Sequence, residues 1–264
     1  MTHASAVMTI MINAARKAAK GLRRDFGEAE ALQVSKKGAA DFVSRADINA
    51  EQTIFEELSK GRPKYGFVME ERGEVEGADN SNRWIVDPLD GTTNFLHGLP
   101  QFAISIGLER DRQPYAGVVY NPITDELYWA EKGEGAFMND HRLRVSSRGD
   151  LESALFATGL PFKGKSGREL ALKETDIVLA NTAGVRRYGS AALDLAYVAA
   201  GRFDAYWERG LNVWDVAAGI VLVREAGGMV SEIDGGPRPS LNGSILAANA
   251  EIYETAKRLL SSAR

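Results

Sequence analysis

Apolar residues fall into short runs along most of this chain, and many of those runs end in acids. The N-terminal stretch differs. Over residues 4–26, Ala, Met and Ile recur at helical spacing around Asn13, Arg16 and Lys17, which predicts an amphipathic helix stopped near Gly27. A second helix is expected over "SRADINAEQTIFEELSKG" (44–61), with Ser44 and Asp47 as a capping box and Gly61 at its C-terminal end. That places Asp47 in the first turn. "YGFVMEE" (65–71) and "RWIVD" (83–87) read as strands that end in acids. "FAISIGLERD", "YAGVVYNP" and "DELYWAEKGEGAFMND" then run apolar or alternate between turn residues at 111–114, 121–122, 133 and 139–140, as in an antiparallel meander.

The second half mixes periods. "ALFATGLP", "RFDAYWE", "MVSEI" and "SILAAN" read as strands. "GRELALKETDIVLAN", "SAALDLAYVAAG", "NVWDVAAGIVLVREAGG" and "AEIYETAKRLLSSA" read as helices. The pattern predicts an α/β protein in which an N-terminal α+β half is stacked on a C-terminal α/β half. No repeat or low-complexity linker divides the chain, so residues 1–264 are expected to form one domain. A soft junction near 139–152 would separate 1–145 from 146–264.

The chemistry concentrates in "WIVDPLDGTTNF" (84–95). An apolar strand ends there in two acids three residues apart. Glu70 and Glu71 end the preceding strand, and Asp215 opens an apolar helix just after Trp214. Strand C-termini and helix N-termini are where small-ligand sites form in layered α/β proteins. Carboxylates converging there resist ionising unless cations neutralise them. Hard oxygen ligands without His or Cys select Mg²⁺, Mn²⁺ or Ca²⁺ over Zn²⁺. Pro88 cannot continue a ladder, so the chain should turn there, with Asp87 and Asp90 flanking one ion and a backbone carbonyl between them. Gly91 permits a sharp turn, and "GTTNF" should open a short helix whose N–H groups hold a phosphate oxygen. Taken singly, each acid reads as a turn, a solvated strand end or an N-cap; their combination points to phosphoryl chemistry.

Composition narrows the options. There is no Cys, which excludes a disulfide scaffold, a thiolate metal site and a cysteine nucleophile. A net charge of -4 without a basic tract does not suggest nucleic-acid binding. No run approaches a membrane span and the N-terminus does not read as a signal peptide, so a cytoplasmic location is expected.

"WIVDPLDGTTNF" and "NVWDVAAGIVLVREAGG" resemble the two signatures of the inositol monophosphatase family, while "GFVMEERGE" and "KKGAADFVSRAD" match its Glu-Glu and Lys-to-Asp elements. Order and spacing agree from about residue 5 to the C-terminus. The resemblance implies a layered α/β/α/β/α sandwich, usually a homodimer, acting as a Mg²⁺-dependent, Li⁺-sensitive phosphomonoesterase. It implies that Glu70, Asp87 and the Leu89 carbonyl hold a first Mg²⁺, and that Asp87, Asp90 and Asp215 hold a second. Glu70 would touch a third ion through water. Asp47 and Thr92, helped by Glu70, would orient the attacking water. Gly91, Thr92 and Thr93 would hold the phosphate, and Asp90, Ser190, Ala191, Glu208 and Asp215 would line a sugar-alcohol pocket. Lys36 matches a position near the phosphate. Two metals about 3.5–4 Å apart can clamp an in-line phosphoryl displacement.

Within the family, "DGTTNF" resembles the inositol-phosphate branch; the bisphosphate-nucleotidase branch more often has Lys after "DGT", and the histidinol-phosphatase branch Arg. Glu208-Arg209-Gly210 also favours a polyol pocket, whereas Asn212 stands where some relatives have His and leaves substrate preference open. The expected reaction is hydrolysis of myo-inositol 1-phosphate. The alternatives are a fructose-1,6-bisphosphatase or 3′-nucleotidase-like enzyme, or a binding or regulatory protein that retains the fold. Among other residues, His97 reads as a solvated helix-end residue, and His3 and His141 as surface. Arg186-Arg187-Tyr188-Gly189-Ser190 reads as an anion or dimer contact or as a solvated loop.

Overall fold

The alternation in "AISIGLER" and "YAGVVYN" sends successive side chains to opposite faces of a sheet, and here both faces are covered. The structure is a computed structural model that describes residues 4–32, 36–161 and 164–263, with backbone alone for 29–32, 36–44 and 240. Two helices, α1 (Ala6–Leu32) and α2 (Lys36–Gly61), lead into β1 (Tyr65–Met69), β2 (Gly73–Val75) and β3 (Asp79–Asp90). The short α3 (Thr92–Leu96) follows, then β4 (Ala103–Arg110), β5 (Gln113–Asn121), β6 (Glu126–Glu131), β7 (Gly135–Met138) and β8 (His141–Arg142). The second half runs β9 (Leu155–Thr158), α4 (Arg168–Asn181), β10 (Gly184–Arg186), α5 (Ala191–Ala199), β11 (Ala205–Arg209) and α6 (Val213–Glu225). It closes with β12 (Met229–Ser231), α7 (Pro239–Asn242), β13 (Ser244–Ala248) and α8 (Tyr253–Ser261).

Among the described residues the strands form two sheets, ordered β2-β1-β3-β4-β5-β6-β7-β8 and β10-β9-β11-β13-β12. From β3 onward the first sheet is antiparallel, as the meander pattern predicts. The layers follow from three apolar clusters. Met8, Met11 and Ile54 of α1 and α2 pack on Trp84, Ile104 and Tyr120 of the first sheet. Leu193 and Val198 of α5 and Leu222 of α6 fill the space between Val119 and Tyr128 of the first sheet and Tyr206 and Ile245 of the second. Val178 of α4 and Leu260 of α8 cover Phe156 and Trp207 on the far side. The result is the expected α/β/α/β/α sandwich. α6 is apolar nearly all round, as befits a helix buried between sheets. Its approach to β5 needs Gly117, where an added Cβ would lie 2.5 Å from the Ala218 carbonyl oxygen.

Several expectations are corrected. α1 continues through Gly27 to Leu32; a lone helical glycine costs only about 1 kcal/mol, which does not stop a packed helix. α2 begins at Lys36, so Ser44 is no N-cap and Asp47 lies about three turns inside rather than in the first turn. The chain does not turn at Pro88. β3 runs on to Asp90 through an irregular register, and the turn comes at Gly91.

The close approach of α6 gives a first test. Gly117→Ala is expected to destabilise the fold by about 1–3 kcal/mol, a fall of roughly 3–10 °C in melting temperature for a chain of this size. Thermal unfolding checks this, and an unchanged Tm would mean that α6 is not tightly seated on β5.

Candidate active site and metal centre

In a regular strand, residues three apart point to opposite faces. Asp87 and Asp90 escape that rule. Asp87 pairs with Ser105 and Asp90 with Ala103, so three steps on β3 match two on β4. This bulge at Pro88-Leu89 puts both acids on one face. It is the face turned to α6, since Ser105 Oγ donates to the Trp214 carbonyl oxygen at 3.3 Å. Asp215, in the first turn of α6, faces the same place and accepts the Asn212 N–H through Oδ2 at 2.7 Å. β1 ends alongside, with Glu70 N donating to the Val86 carbonyl oxygen at 3.2 Å.

Hydrogen bonds fix the individual groups. Leu89 N donates to Asp87 Oδ1 at 2.9 Å, and Thr92 Oγ1 donates to the Leu89 carbonyl oxygen at 3.1 Å. Gly91 caps α3 with φ +96°, and an added Cβ would lie 2.9 Å from the Gln101 carbonyl oxygen. Asp90 Oδ2 accepts from Ser190 Oγ at 2.6 Å and from Ala192 N at 2.7 Å, tying β3 to the start of α5. Glu208 on β11 accepts from the Tyr206 hydroxyl at 2.6 Å. Asp47 is buried, and its Oδ1 has no hydrogen-bond partner among the described residues. Its neighbour Glu51 accepts the Glu71 N–H at 2.9 Å.

The electrostatics are one-sided. Burial pushes Asp90 up to about 7, with Asp215 adding to the shift while Ser190 and Ala192 oppose it. Burial raises Asp87 well above the usual carboxylate range, reinforced by Asp90, Glu70 and Asp215. Glu70 is raised by its partly buried position and by Asp215 and Glu71, against a hydrogen bond with Asp87. Burial lifts Asp215 to about 6, Glu208 to about 7, and Asp47, beside Glu71, Glu70 and Glu51, to about 8.

A cavity of about 600 Å³ joins these elements. It brings together Glu70, Asp90, Gly91, Thr92, Thr93, Ser190, Ala191, Glu208 and Asp215 from both halves of the chain. Asp47, Asp87 and Leu89 are not among its lining residues. Lys36 begins α2, and its side chain lies outside the described residues, as does His3. His97 caps the C-terminal end of α3 and His141 is exposed, as expected. Sequence reasoning missed Lys165, which lines the cavity and lowers Asp215 and Glu208. The available signal was the pair of lysines among glycines in "GLPFKGKSG". Arg187 also lines the cavity and lowers Glu208, which favours the anion reading of that loop.

The donor set fits a hard divalent cation. Asp90, Glu70 and Asp215 raise Asp87, Asp215 also raises Glu70 and Asp90, and no Arg or Lys offsets Glu70, Asp87 or Asp90 among the leading influences. Among the described residues, no three His, Cys, Asp or Glu side chains stand ready-made at ligand spacing. The carboxylate oxygens instead accept hydrogen bonds from Leu89 N, Ala192 N, Asn212 N and Ser190 Oγ.

The model of the inositol monophosphatase family matches residues 3–264. The chain belongs to that family. A Caulobacter vibrioides protein named Inositol-1-monophosphatase is 59% identical over 92% of this chain and 96% of its own length. Nus factor SuhB of Escherichia coli K12 is 44% identical over 94% of this chain and 93% of its own. Among solved structures, the native extragenic suppressor protein suhB of Bartonella henselae matches with TM-score 0.90 and 55% identity, covering 97% of this chain and 98% of that one.

Without metal, each raised carboxyl binds its proton more tightly in the folded than in the unfolded chain, whose carboxyls titrate near 4. Their stabilising contribution is therefore complete below about pH 4 and is lost as pH rises through about 6–8. Thermal unfolding in chelator should show Tm falling between about pH 5 and 8, and millimolar Mg²⁺ should reduce that fall. Superimposable profiles with and without Mg²⁺ would contradict the metal assignment.

Proposed function

We propose that this chain hydrolyses phosphate monoesters, with inositol 1-phosphate as its leading substrate. The observation that carries the reading is the union in one cavity of Glu70, Asp90 and Asp215 with the Gly91–Thr93 turn and Glu208. The relatives named Inositol-1-monophosphatase support it. Glu70, Asp87 and the Leu89 carbonyl would hold one Mg²⁺, Asp87, Asp90 and Asp215 a second, and Glu70 a third through water. The chemistry these ions supply when bound is charge neutralisation at the phosphoryl oxygens and a more acidic water.

The chain's own groups do the rest. Gly91, Thr92 and Thr93 hold the phosphate. Thr92 Oγ1, anchored on the Leu89 carbonyl, orients the attacking water. Asp47, buried beside Glu70 with its Oδ1 unpartnered, orients the same water with help from Glu70. Ser190, Ala191 and Glu208 face the polyol, with Glu208 held by Tyr206 so that a free carboxylate oxygen meets the hydroxyls. Lys36 is assigned to the phosphate as well. Residues 1–264 act as one unit whose halves meet near 139–152, since α6 of the second half packs on strands of the first. A homodimer in the cytoplasm belongs to the same reading; among the described residues, no helix is long and apolar enough to cross a membrane. A binding or regulatory role beside catalysis is the second reading, drawn from the relatives named Nus factor SuhB. The retained acid set favours catalysis.

Two variants expose the roles. Asp90→Asn should cut kcat by about 10²–10³-fold or more, with an unchanged far-ultraviolet circular dichroism spectrum. Asp47→Asn should lower kcat while the Mg²⁺ concentration for half-activation stays put; a large rise in that concentration would make Asp47 a metal ligand instead. The function itself is tested by phosphate release from inositol 1-phosphate, fructose 1,6-bisphosphate and adenosine 3′,5′-bisphosphate, with and without Mg²⁺. Fastest Mg²⁺-dependent turnover on inositol 1-phosphate is the expected result, and no turnover on any ester would refute the proposal.

A further inference from the structure

α6 has a basic end as well as an acidic one. From Asp215 in its first turn to Arg224 in its last is a rise of about 14 Å along the axis. At the Arg224 end lies a second cavity of about 330 Å³. Three arginines line it: Arg112 from the β4–β5 turn, Arg224 from α6 and Arg238 from the segment before α7. Ile220 and Leu241 contribute apolar walls, and Asp111 is the one acid among its described lining residues.

The three arginines are all exposed, and what marks them is their convergence on one cavity, with two further features. The first is missing partners. Elsewhere Arg83, Arg148, Arg202 and Arg209 each sit on a carboxylate, of Glu109, Asp204, Glu126 and Glu174 respectively. Among the described residues, the guanidinium groups of Arg112, Arg224 and Arg238 make no ion pair, hydrogen bond or ring contact. Partial desolvation lowers the Arg224 guanidinium below its ordinary value although the residue is exposed, and no carboxylate offsets that. The second is backbone strain. Asp111 and Arg112 form the two-residue hairpin loop at φ +51° and +60°, in the left-handed region where Asn and Gly are favoured. A bulky arginine is kept at a position whose backbone disfavours it.

We propose that this cavity is a second anion site, which takes the phosphate or pyrophosphate group of a small organic molecule. Guanidinium forks match phosphate oxygens in pairs, and convergent arginines bind phosphate far better than lone ones. The apolar walls suit the body that carries the group, and the volume limits that body to a small molecule.

Pyrophosphate in chelator is the probe, because the acid-lined cavity without a cation repels it. Isothermal titration at about 0.15 M salt, which screens diffuse attraction, should show one pyrophosphate bound per chain. Arg224→Gln combined with Arg238→Gln should weaken binding at least tenfold, and Arg224→Lys, which keeps the charge but not the fork, should weaken it less. Mg²⁺-dependent ester hydrolysis and melting temperature of these variants should match the parent, which excludes misfolding. Equal affinity in the double variant, or no binding by the parent, would overturn the proposal. So would loss of single-stranded oligonucleotide binding in the double variant with pyrophosphate binding intact, which would reassign the arginines to a nucleic-acid backbone.

Discussion

One extra residue in β3 governs the site. The bulge at Pro88-Leu89 turns Asp90 to the same face as Asp87, toward the first turn of α6. A regular strand would send one carboxylate into the α1–α2 side of the sheet, where the packing is apolar. Proline suits the position because it has no N–H to contribute to the ladder. The same bulge lets Asp90 reach Ser190 and Ala192 and so joins the two halves at the reacting end.

Burying several acids together is unfavourable unless something positive joins them. Within the chain, hydrogen bonds from Leu89, Ser190, Ala192 and Asn212 offset part of the cost, and Lys165 acts on Asp215 from across the cavity. On the proposed function the rest would fall to bound cations, which would couple catalysis to the stability of this end of the fold. α6 carries the polarity through the molecule. Its acid lies at the positive end of the helix dipole and its arginine at the negative end, each the favoured arrangement. Phosphate chemistry at one end and a basic cavity at the other are both consistent with that axis.

Much of this was legible in the sequence because it is local. Apolar runs ending in acids marked β1 and β3, and "NVWDVAAGIVLVREAGG" gave α6 with Asp215 in its first turn. The misreadings came where packing overrides local signals. Gly27 and Ser44 look like a stop and a start, yet α1 runs on to Leu32 and α2 already begins at Lys36. Proline at 88 predicts a turn, but pairing with β4 resumes after the bulge. Lys165 and the Arg112–Arg224–Arg238 cavity escaped notice because they join residues distant in sequence, and no spacing rule reports that.

The claim at the centre is that the carboxylates gathered by the β3 bulge exist to hold a divalent cation. Anomalous diffraction at the manganese edge, from crystals grown with Mn²⁺, tests it most directly. A peak among Asp87, Asp90 and Asp215, and another beside Glu70, is the predicted result. Manganese bound only elsewhere, with Asp90 still hydrogen-bonded to Ser190 and Glu70 to Asp87, would contradict it.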